Sequence, residues 1–234
     1  YNLLNYLDES NLKLANKRKN YLSILTTIDI RKRRILLDWI MDLCCCYQFK
    51  RETYHSTVIL LDCFLSICQM MDLSKFQLIG LSCLLISAKN EEVTIPVLEE
   101  FAESTKFTYI SPQIVEMEKT ILLSLKWEIQ FLSLAFWSNY IMEKWDKFNK
   151  EEYEGDLPCF FDHPKLINSF FFIIDIISFD YNPLFSDLKL VCSAIFYLLI
   201  AKDLGFLKLA EQNSNTQYNF TFNSVKTQES FVCF

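Results

Sequence analysis

The sequence has few of the residues that allow sharp turns. Its 234 residues include only three Gly and five Pro, while 51% are hydrophobic. Tight connections between strands depend on such residues, so a many-stranded sheet is not expected. We therefore predict an all-α fold. The length suits one large domain or two compact domains of about 100 residues each.

The sequence also lacks a hydrophobic run long enough to cross a bilayer. The longest, Leu190–Ala201, has 12 residues, whereas a membrane-spanning helix needs about 20. No charged segment followed by a hydrophobic one opens the chain, so no secretion signal is predicted. Most of the nine Cys lie inside hydrophobic runs, and we expect reduced, buried thiols in an intracellular protein rather than a disulfide framework.

Positive charge is scarce, because the formal net charge is −6. An acidic chain repels nucleic acid, so protein partners are favoured. The basic runs Lys17–Lys19 and Arg31–Arg34 are short, and we expect them mainly on solvated faces. No glycine-rich nucleotide loop surrounds Gly80, Gly155 or Gly205, and no nucleophile has a recognisable partner pattern. Intrinsic catalysis is therefore not expected.

Hydrophobic periodicity and capping signals predict a leading helix within residues 1–22 and eight further helices. Asp29 is the predicted N-cap of the second helix. The charged and polar composition of Lys144–His163 predicts a long surface loop, and periodicity fades after Glu211. The eight predicted helices are Ile30–Gln48, Thr53–Cys68, Lys75–Lys89, Pro96–Ser104, Ser111–Leu125, Leu134–Trp145, Pro164–Ile177 and Asp187–Leu204.

Arg33 and Asp62 lie in two strongly hydrophobic predicted helices. An unpaired charge in such a helix would be costly to bury. We therefore predict that the two side chains face each other as a buried, structural ion pair.

Three blocks, RRILLDWIMDLCCCYQFKRETYHSTVILLDCFLS, KFQLIGLSCLLISAKNEE and VEMEKTILLSLKWEI, resemble the first cyclin box of the cyclin family. The five signature positions of that box correspond to Arg33, Asp62, Leu78, Lys89 and Glu118. The connector between Asp62 and Leu78 and the segment ILLDWIMDLC are most similar to cyclin E. The resemblance is strong over residues 30–130 and weaker over 131–205.

The resemblance implies a cyclin fold with two helical cyclin-box repeats, although the last helices of the second repeat are not recognisable in the sequence. Residues 1–29 would form an N-terminal helix and connector. Residues 30–130 would form the first cyclin box and 131–205 the second. Residues 206–234 would be a tail of uncertain structure.

The resemblance also implies a function: a regulatory, non-enzymatic subunit that binds and activates a cyclin-dependent kinase at the G1/S transition. In this family the side chains at the positions of Lys89 and Glu118 form hydrogen bonds to main-chain groups near the kinase's mobile regulatory helix. The alternative for both is an ordinary solvated charge at a helix end. Asn90 stands where relatives usually carry an apolar or aromatic contact residue. The implied kinase-binding residues are Lys89, Glu118, Asn90, Leu122, Trp127 and Ile129.

A second implied site is the shallow cleft in which cyclins bind Arg-x-Leu segments of substrates and inhibitors. The peptide Leu would lie on an apolar floor and Asp42 would pair with the Arg. The alternative is that the stripe is only the inner face of its helix. Lys32 and Arg34 replace a typical Met and Ala, and should disfavour peptides with extra basic residues. The implied cleft residues are Ile35, Leu36, Trp39, Asp42, Phe76 and Gln77.

The consecutive cysteines Cys44–Cys46 do not predict a metal site, because neighbours on a helix point about 100 degrees apart and only His55 and His163 could complete the ligand set. No cofactor, nucleic acid or membrane partner is expected, and the resemblance implies a nuclear and cytoplasmic location. Two other functions stay open: a cyclin-fold adaptor that binds no kinase, and a transcription-type cyclin.

Overall fold

Helices make up all the regular secondary structure in the part of the chain that the computed structural model describes. That part comprises residues 3–17, 21–23, 25, 28–68, 72–152, 160, 163–181 and 187–203. No helix within these ranges is long and apolar enough to cross a membrane. The helices are α1 (Leu3–Lys17), α2 (Ile30–Tyr47), α3 (Arg51–Ile67), α4 (Phe76–Glu91), α5 (Leu98–Ser104), α6 (Ser111–Ser124), α7 (Leu134–Glu152), α8 (Pro164–Phe179) and α9 (Leu188–Asp203), with short 3-10 turns at Tyr21–Ser23 and Leu73–Lys75.

The ends of α2 follow from the local sequence. The Asp29 side chain accepts a hydrogen bond from the backbone N–H of Lys32 at 2.8 Å, which confirms the predicted N-cap. At the other end Gln48 has a left-handed backbone, with φ of 55°, and its N–H reaches the carbonyls of Cys44 and Cys45. Such a cap satisfies carbonyls that the helix itself leaves unpaired.

The core is centred on α3 and α4, which pack against each other. Every residue of α4 from 78 to 88 is buried. Gly80 allows close packing with α2, because a Cβ at this position would lie 2.9 Å from Cδ1 of Leu36. Helices α2 and α6 also contact both central helices, so the residues of the two proposed binding surfaces are held by one rigid core.

The helices α7, α8 and α9 pack against one another, and α7 and α8 also contact α3 and α2 respectively. Helix α1 is tied to the start of α9, since Asn11 donates a hydrogen bond to Asp187 at 2.7 Å and Lys189 pairs with Asp8 at 2.5 Å. The predicted boundary between the two repeats near residue 130 remains a prediction.

The predicted loop from Lys144 to His163 was wrong in its first half, because α7 continues to Glu152. Trp145 packs against Phe196 of α9 with ring centroids 5.3 Å apart. Asp146 is buried and accepts a hydrogen bond from the backbone N–H of Phe160 at 2.7 Å. Tertiary contacts therefore extend a helix whose composition is polar. The predicted tail, residues 206–234, lies outside the described residues.

Candidate partner-binding surfaces

Arg33 and Asp62 lie in contact in the core, and both side chains are 0% exposed. The guanidinium donates two parallel hydrogen bonds to the carboxylate, Nε to Oδ1 and Nη2 to Oδ2, each 3.0 Å long. The Tyr21 hydroxyl donates a third to Oδ1 at 2.9 Å. Burial and the neighbouring carboxylate raise the pKa of Tyr21 well above its ordinary value, so the phenol stays protonated and remains a donor.

Arg33 also links α2 to the end of α8, which the sequence pattern did not predict. Its Nη1 donates to the carbonyl oxygens of Ser178 at 2.8 Å and Phe179 at 3.1 Å, the last residues of α8. The ring of Tyr181 lies 5.5 Å from the guanidinium carbon. A cation at the carbonyl end of a helix is favourable because it complements the helix dipole. This group of side chains thus fixes α2 and α3 against α8.

Lys89 and Glu118 are brought together on adjoining helices. Lys89 Nζ lies 2.5 Å from Glu118 Oε1, with the Lys side chain 44% exposed and the Glu side chain 11% exposed. The ammonium uses one of its three donors in this pair, and the carboxylate keeps its second oxygen. The pair therefore retains hydrogen-bonding capacity toward solvent or a partner.

The other implied kinase-binding residues surround the ends of α4 and α6. Asn90 is exposed and its amide donates to the carboxylate of Glu91 at 3.1 Å. Leu122 is buried, Ile129 is half-buried, and Trp127 is 64% exposed. Leu122 therefore supports this surface from beneath, and Trp127 is its most prominent exposed group.

Trp127 is held outward by an unusual backbone. Lys126 and Trp127 have φ angles of 54° and 61°, in the left-handed region. That region costs a residue other than Gly roughly 1–2 kcal/mol. The Trp127 N–H closes the turn by donating to the carbonyl of Leu122 at 2.9 Å. Strained residues of this kind concentrate at functional sites.

The exposed apolar surface is wider than the sequence predicted. Hydrophobic side chains that face solvent lie between α4 and α5, between α5 and α6, and on α6, and sequence reasoning assigned them no role. Phe107 is one of them, and it also has a left-handed backbone. The sequence did not distinguish these residues from core residues, because a hydrophobic side chain is by default expected to be buried. These exposed residues are Val93, Ile95, Val97, Phe107, Ile110, Val115 and Leu123.

The implied peptide cleft lies where α2 packs against the start of α4. Ile35 is 63% exposed and Asp42 is exposed, while Trp39 and Gln77 are half-buried. Leu36 and Phe76, by contrast, are buried, so they can only form the floor beneath a ligand.

Charges around this cleft differ from the sequence expectation in two ways. The Arg34 guanidinium forms an ion pair with Asp180, which balances one of the two cations expected to disfavour basic peptides. The exposed Asp38, which sequence reasoning missed, lies one turn before Asp42. Partial burial and repulsion from Asp42 raise the pKa of Asp38. The implied cleft would therefore carry two carboxylates rather than one.

The three consecutive cysteines point in different directions, with Cys44 buried, Cys45 half-buried and Cys46 exposed. Burial raises the pKa of the Cys44 thiol, which disfavours the thiolate that a metal requires. Within the described residues, no group of three or more His, Cys, Asp and Glu side chains could hold a metal ion.

Comparisons with known proteins agree on one family. The model of the family described as "Cyclin, N-terminal domain" matches residues 2–130. The chain is 35% identical over 113 residues to a G1/S-specific cyclin-E from Drosophila melanogaster, covering 48% of this chain and 16% of that protein. It is 34% identical over 140 residues to a G1/S-specific cyclin-E1 from Gallus gallus, covering 60% and 34%. It is also 38% identical over 109 residues to Cyclin-B1-1 from Arabidopsis thaliana, covering 47% and 25%.

Among solved structures, a viral cyclin from herpesvirus saimiri has the same fold. The TM-score is 0.66 at 21% sequence identity, and the match covers 86% of this chain and 82% of that one. The similarity at this identity concerns the fold alone. The chain spans about a third or less of the length of these curated relatives.

Proposed function

This chain belongs to the cyclin family, and we propose that it is a regulatory subunit that binds and activates a cyclin-dependent protein kinase in G1/S control. The similarity to two G1/S-specific cyclins supports the timing. The observation that carries the proposal is the Lys89–Glu118 pair between α4 and α6, together with the exposed Trp127 in the turn that follows α6. A charged pair with spare hydrogen-bonding capacity next to an apolar surface suits a protein interface with a desolvated centre.

The proposed mechanism needs no catalytic group from this chain. Kinase activity requires that an ion pair between the kinase's own Lys and the Glu of its regulatory helix be in place. A subunit that binds the active conformation more tightly than the inactive one shifts the population toward it. The Lys89–Glu118 pair would hydrogen-bond main-chain groups near that helix, and the apolar residues around Trp127 would cover its side.

The test is a phosphorylation assay with purified components. The chain is added to each of a panel of cyclin-dependent kinases, from the cell-cycle and transcription classes, and phosphate transfer to a standard substrate is measured. We expect stimulation of a cell-cycle kinase by at least tenfold. Stimulation of transcription-class kinases alone would contradict the G1/S assignment. Absence of both binding and stimulation across the panel would favour the adaptor, with which the exposed polar Asn90 is compatible.

We also propose that the cleft between α2 and α4 recruits Arg-x-Leu segments. Burying a peptide Leu beside Trp39 is worth roughly 1.5–3 kcal/mol. An exposed pair between the peptide Arg and Asp42 adds only about 0–1 kcal/mol. Affinity should therefore be weak and governed by the Leu. In fluorescence anisotropy with an Arg-x-Leu peptide, Trp39→Ala should weaken binding more than Asp42→Asn.

The cation beside the cleft provides an independent check. Lys32→Met should strengthen binding of peptides with extra basic residues, and more so at low salt, because Lys32 is only half-buried and its charge is open to screening by salt. Equal peptide affinity of the wild-type chain and Trp39→Ala would show that the peptide does not bind in this cleft.

A further inference from the structure

The exposed face of α2 carries an ordered row of charges, which we call the charge-ordered face. Its members recur at three- and four-residue steps, a spacing that places side chains on one face of a helix. Two cations lie at the start of the row and two carboxylates at its end, with a hydrophobic residue between them. The members of the charge-ordered face are Arg31, Arg34, Ile35, Asp38 and Asp42.

This order of charges does not stabilise α2. Carboxylates in the first turn and cations in the last turn are favourable for a helix, because they complement its dipole. Although Asp29 caps the helix, Ile30–Tyr47 has no acidic residue in its first turn and no basic residue in its last. Asp38 and Asp42 are also four residues apart, a spacing at which like charges repel. Residues that break such local rules are expected mainly at functional sites.

Arg31 is the cation of the charge-ordered face that is open to a partner. Arg34 is balanced by its ion pair with Asp180. Arg31 is exposed and forms no ion pair within the described part of the chain. Lys32, the next residue, is half-buried and adds positive charge at the same end of α2. An anionic group of a partner can therefore pair with Arg31 without displacing a carboxylate of this chain.

The geometry of the helix sets the distance between the two charged ends. Along the helix axis, Arg31 lies about 10 Å from Asp38 and about 16 Å from Asp42, at a rise of about 1.5 Å per residue. An extended peptide advances about 3.3 Å per residue, so roughly three to five residues span this distance. The Leu of an Arg-x-Leu segment follows its Arg by two residues and falls between the two ends. The residues after the Leu therefore extend toward Arg31.

We propose that the charge-ordered face selects Arg-x-Leu segments of partner proteins that carry an acidic residue roughly three to five positions after the Arg. The Arg lies at Asp38 and Asp42, and the acidic residue lies at Arg31, so the charges of the segment complement those of α2. Complementary charges of this kind fix the register of a bound partner and speed its association. The inference rests on the Arg-x-Leu cleft proposed above and adds the chemistry of the segment beyond its Leu.

The test compares the affinities of three peptides for the full chain. The acidic peptide is acetyl-Arg-Ala-Leu-Gly-Asp-Asp-amide, and the neutral peptide ends in Asn-Asn instead. The reordered peptide, acetyl-Asp-Asp-Gly-Arg-Ala-Leu-amide, has the same composition as the acidic one. The Trp39 indole N–H, followed in two-dimensional 1H–15N NMR spectra, gives each Kd. At low salt the acidic peptide should bind about two- to fivefold more tightly than either of the others, as expected for an exposed ion pair. At about 0.5 M sodium chloride the difference should vanish, because exposed charges are screened.

Variants show whether Arg31 carries the effect. Arg31→Gln should remove the advantage of the acidic peptide and leave the affinity for the neutral peptide unchanged. Arg31→Glu should reverse the preference, so that a peptide ending in Lys-Lys binds more tightly than the acidic one. Both variants should fold, because removing a cation from the first turn of a helix is favourable. Lys150→Gln is the matched control, since Lys150 is exposed on α7, and it should keep the wild-type preference.

The outcomes separate this inference from the cleft itself. If all three peptides shift the Trp39 resonance with equal affinities, the inference is overturned and the cleft stands. An unchanged preference for the acidic peptide in Arg31→Gln would also overturn the inference. If no peptide shifts the Trp39 resonance, the proposed cleft is wrong and the inference fails with it. These measurements need no kinase, so their outcome is independent of the kinase assay.

Discussion

Replacing Asp62 by Ala should be among the most destabilising single substitutions in this chain. It leaves the guanidinium of Arg33 fully buried without its carboxylate. Breaking a buried pair in this way costs roughly 3–5 kcal/mol. Tyr21 loses its acceptor as well, which places the expected loss at the upper end of that range. Domains are commonly stable by only about 5–15 kcal/mol, so a large share of the total would be lost.

The assay is urea unfolding at pH 7, followed by far-ultraviolet circular dichroism. Asp42→Ala is the matched control, because Asp42 is exposed on α2 and its loss should change the unfolding free energy by no more than about 0.5 kcal/mol. A difference of less than about 1 kcal/mol between Asp62→Ala and the wild-type chain would refute the reasoning.

The contacts of the pair also predict how an apolar replacement behaves. Apolar replacement of a simple buried ion pair is often neutral or stabilising. Here Arg33→Met with Asp62→Leu leaves the Tyr21 hydroxyl and the carbonyls of Ser178 and Phe179 without their partners. The double variant should therefore be less stable than the wild-type chain but more stable than Asp62→Ala. Adding Tyr21→Phe should recover about 1 kcal/mol, because the orphaned hydroxyl is removed.

Two further outcomes are expected from the packing of the core. Overpacking at Gly80 should cost about 1–3 kcal/mol, since the new Cβ of Gly80→Ala would lie 2.9 Å from Leu36, while the helix propensity of Ala returns about 1 kcal/mol; a variant more stable than the wild-type chain would contradict this contact. With a thiol reagent at pH 8, peptide mapping should find Cys46 modified before Cys44 and Cys83, because Cys46 is exposed. Cys44 and Cys83 are buried, and burial raises the pKa of both thiols, so early modification of either would contradict their burial.

Local signals in the sequence predict the helices well, because those signals act over a few residues. The Asp29 cap of α2 is an interaction with Lys32, three residues away. The loop predicted from Lys144 was wrong because a contact between residues far apart in the sequence decides the structure there. Asp146 is polar in composition but buried by a contact with residue 160, and composition carries no information on such a contact.

At the candidate sites too, the sequence predicted individual residues but not the contacts between distant residues. The resemblance of the surrounding blocks to the first cyclin box marked Lys89 and Glu118, yet the sequence did not reveal that they pair with each other across α4 and α6. The link from Arg33 to the carbonyl of Ser178 spans 145 residues, and no periodicity relates positions so far apart.

The most direct test of kinase binding compares three affinities for the kinase that the chain stimulates in the phosphorylation assay. They are the affinities of the wild-type chain, Lys89→Ala and Lys119→Ala. Lys119 is the matched control, since it is exposed on α6 beside Glu118. Losing one member of a buried interfacial charge contact costs roughly 2–5 kcal/mol. Biolayer interferometry should therefore show at least about thirtyfold weaker binding for Lys89→Ala and little change for Lys119→Ala. Equal affinity and equal kinase stimulation by Lys89→Ala and the wild-type chain would contradict the account.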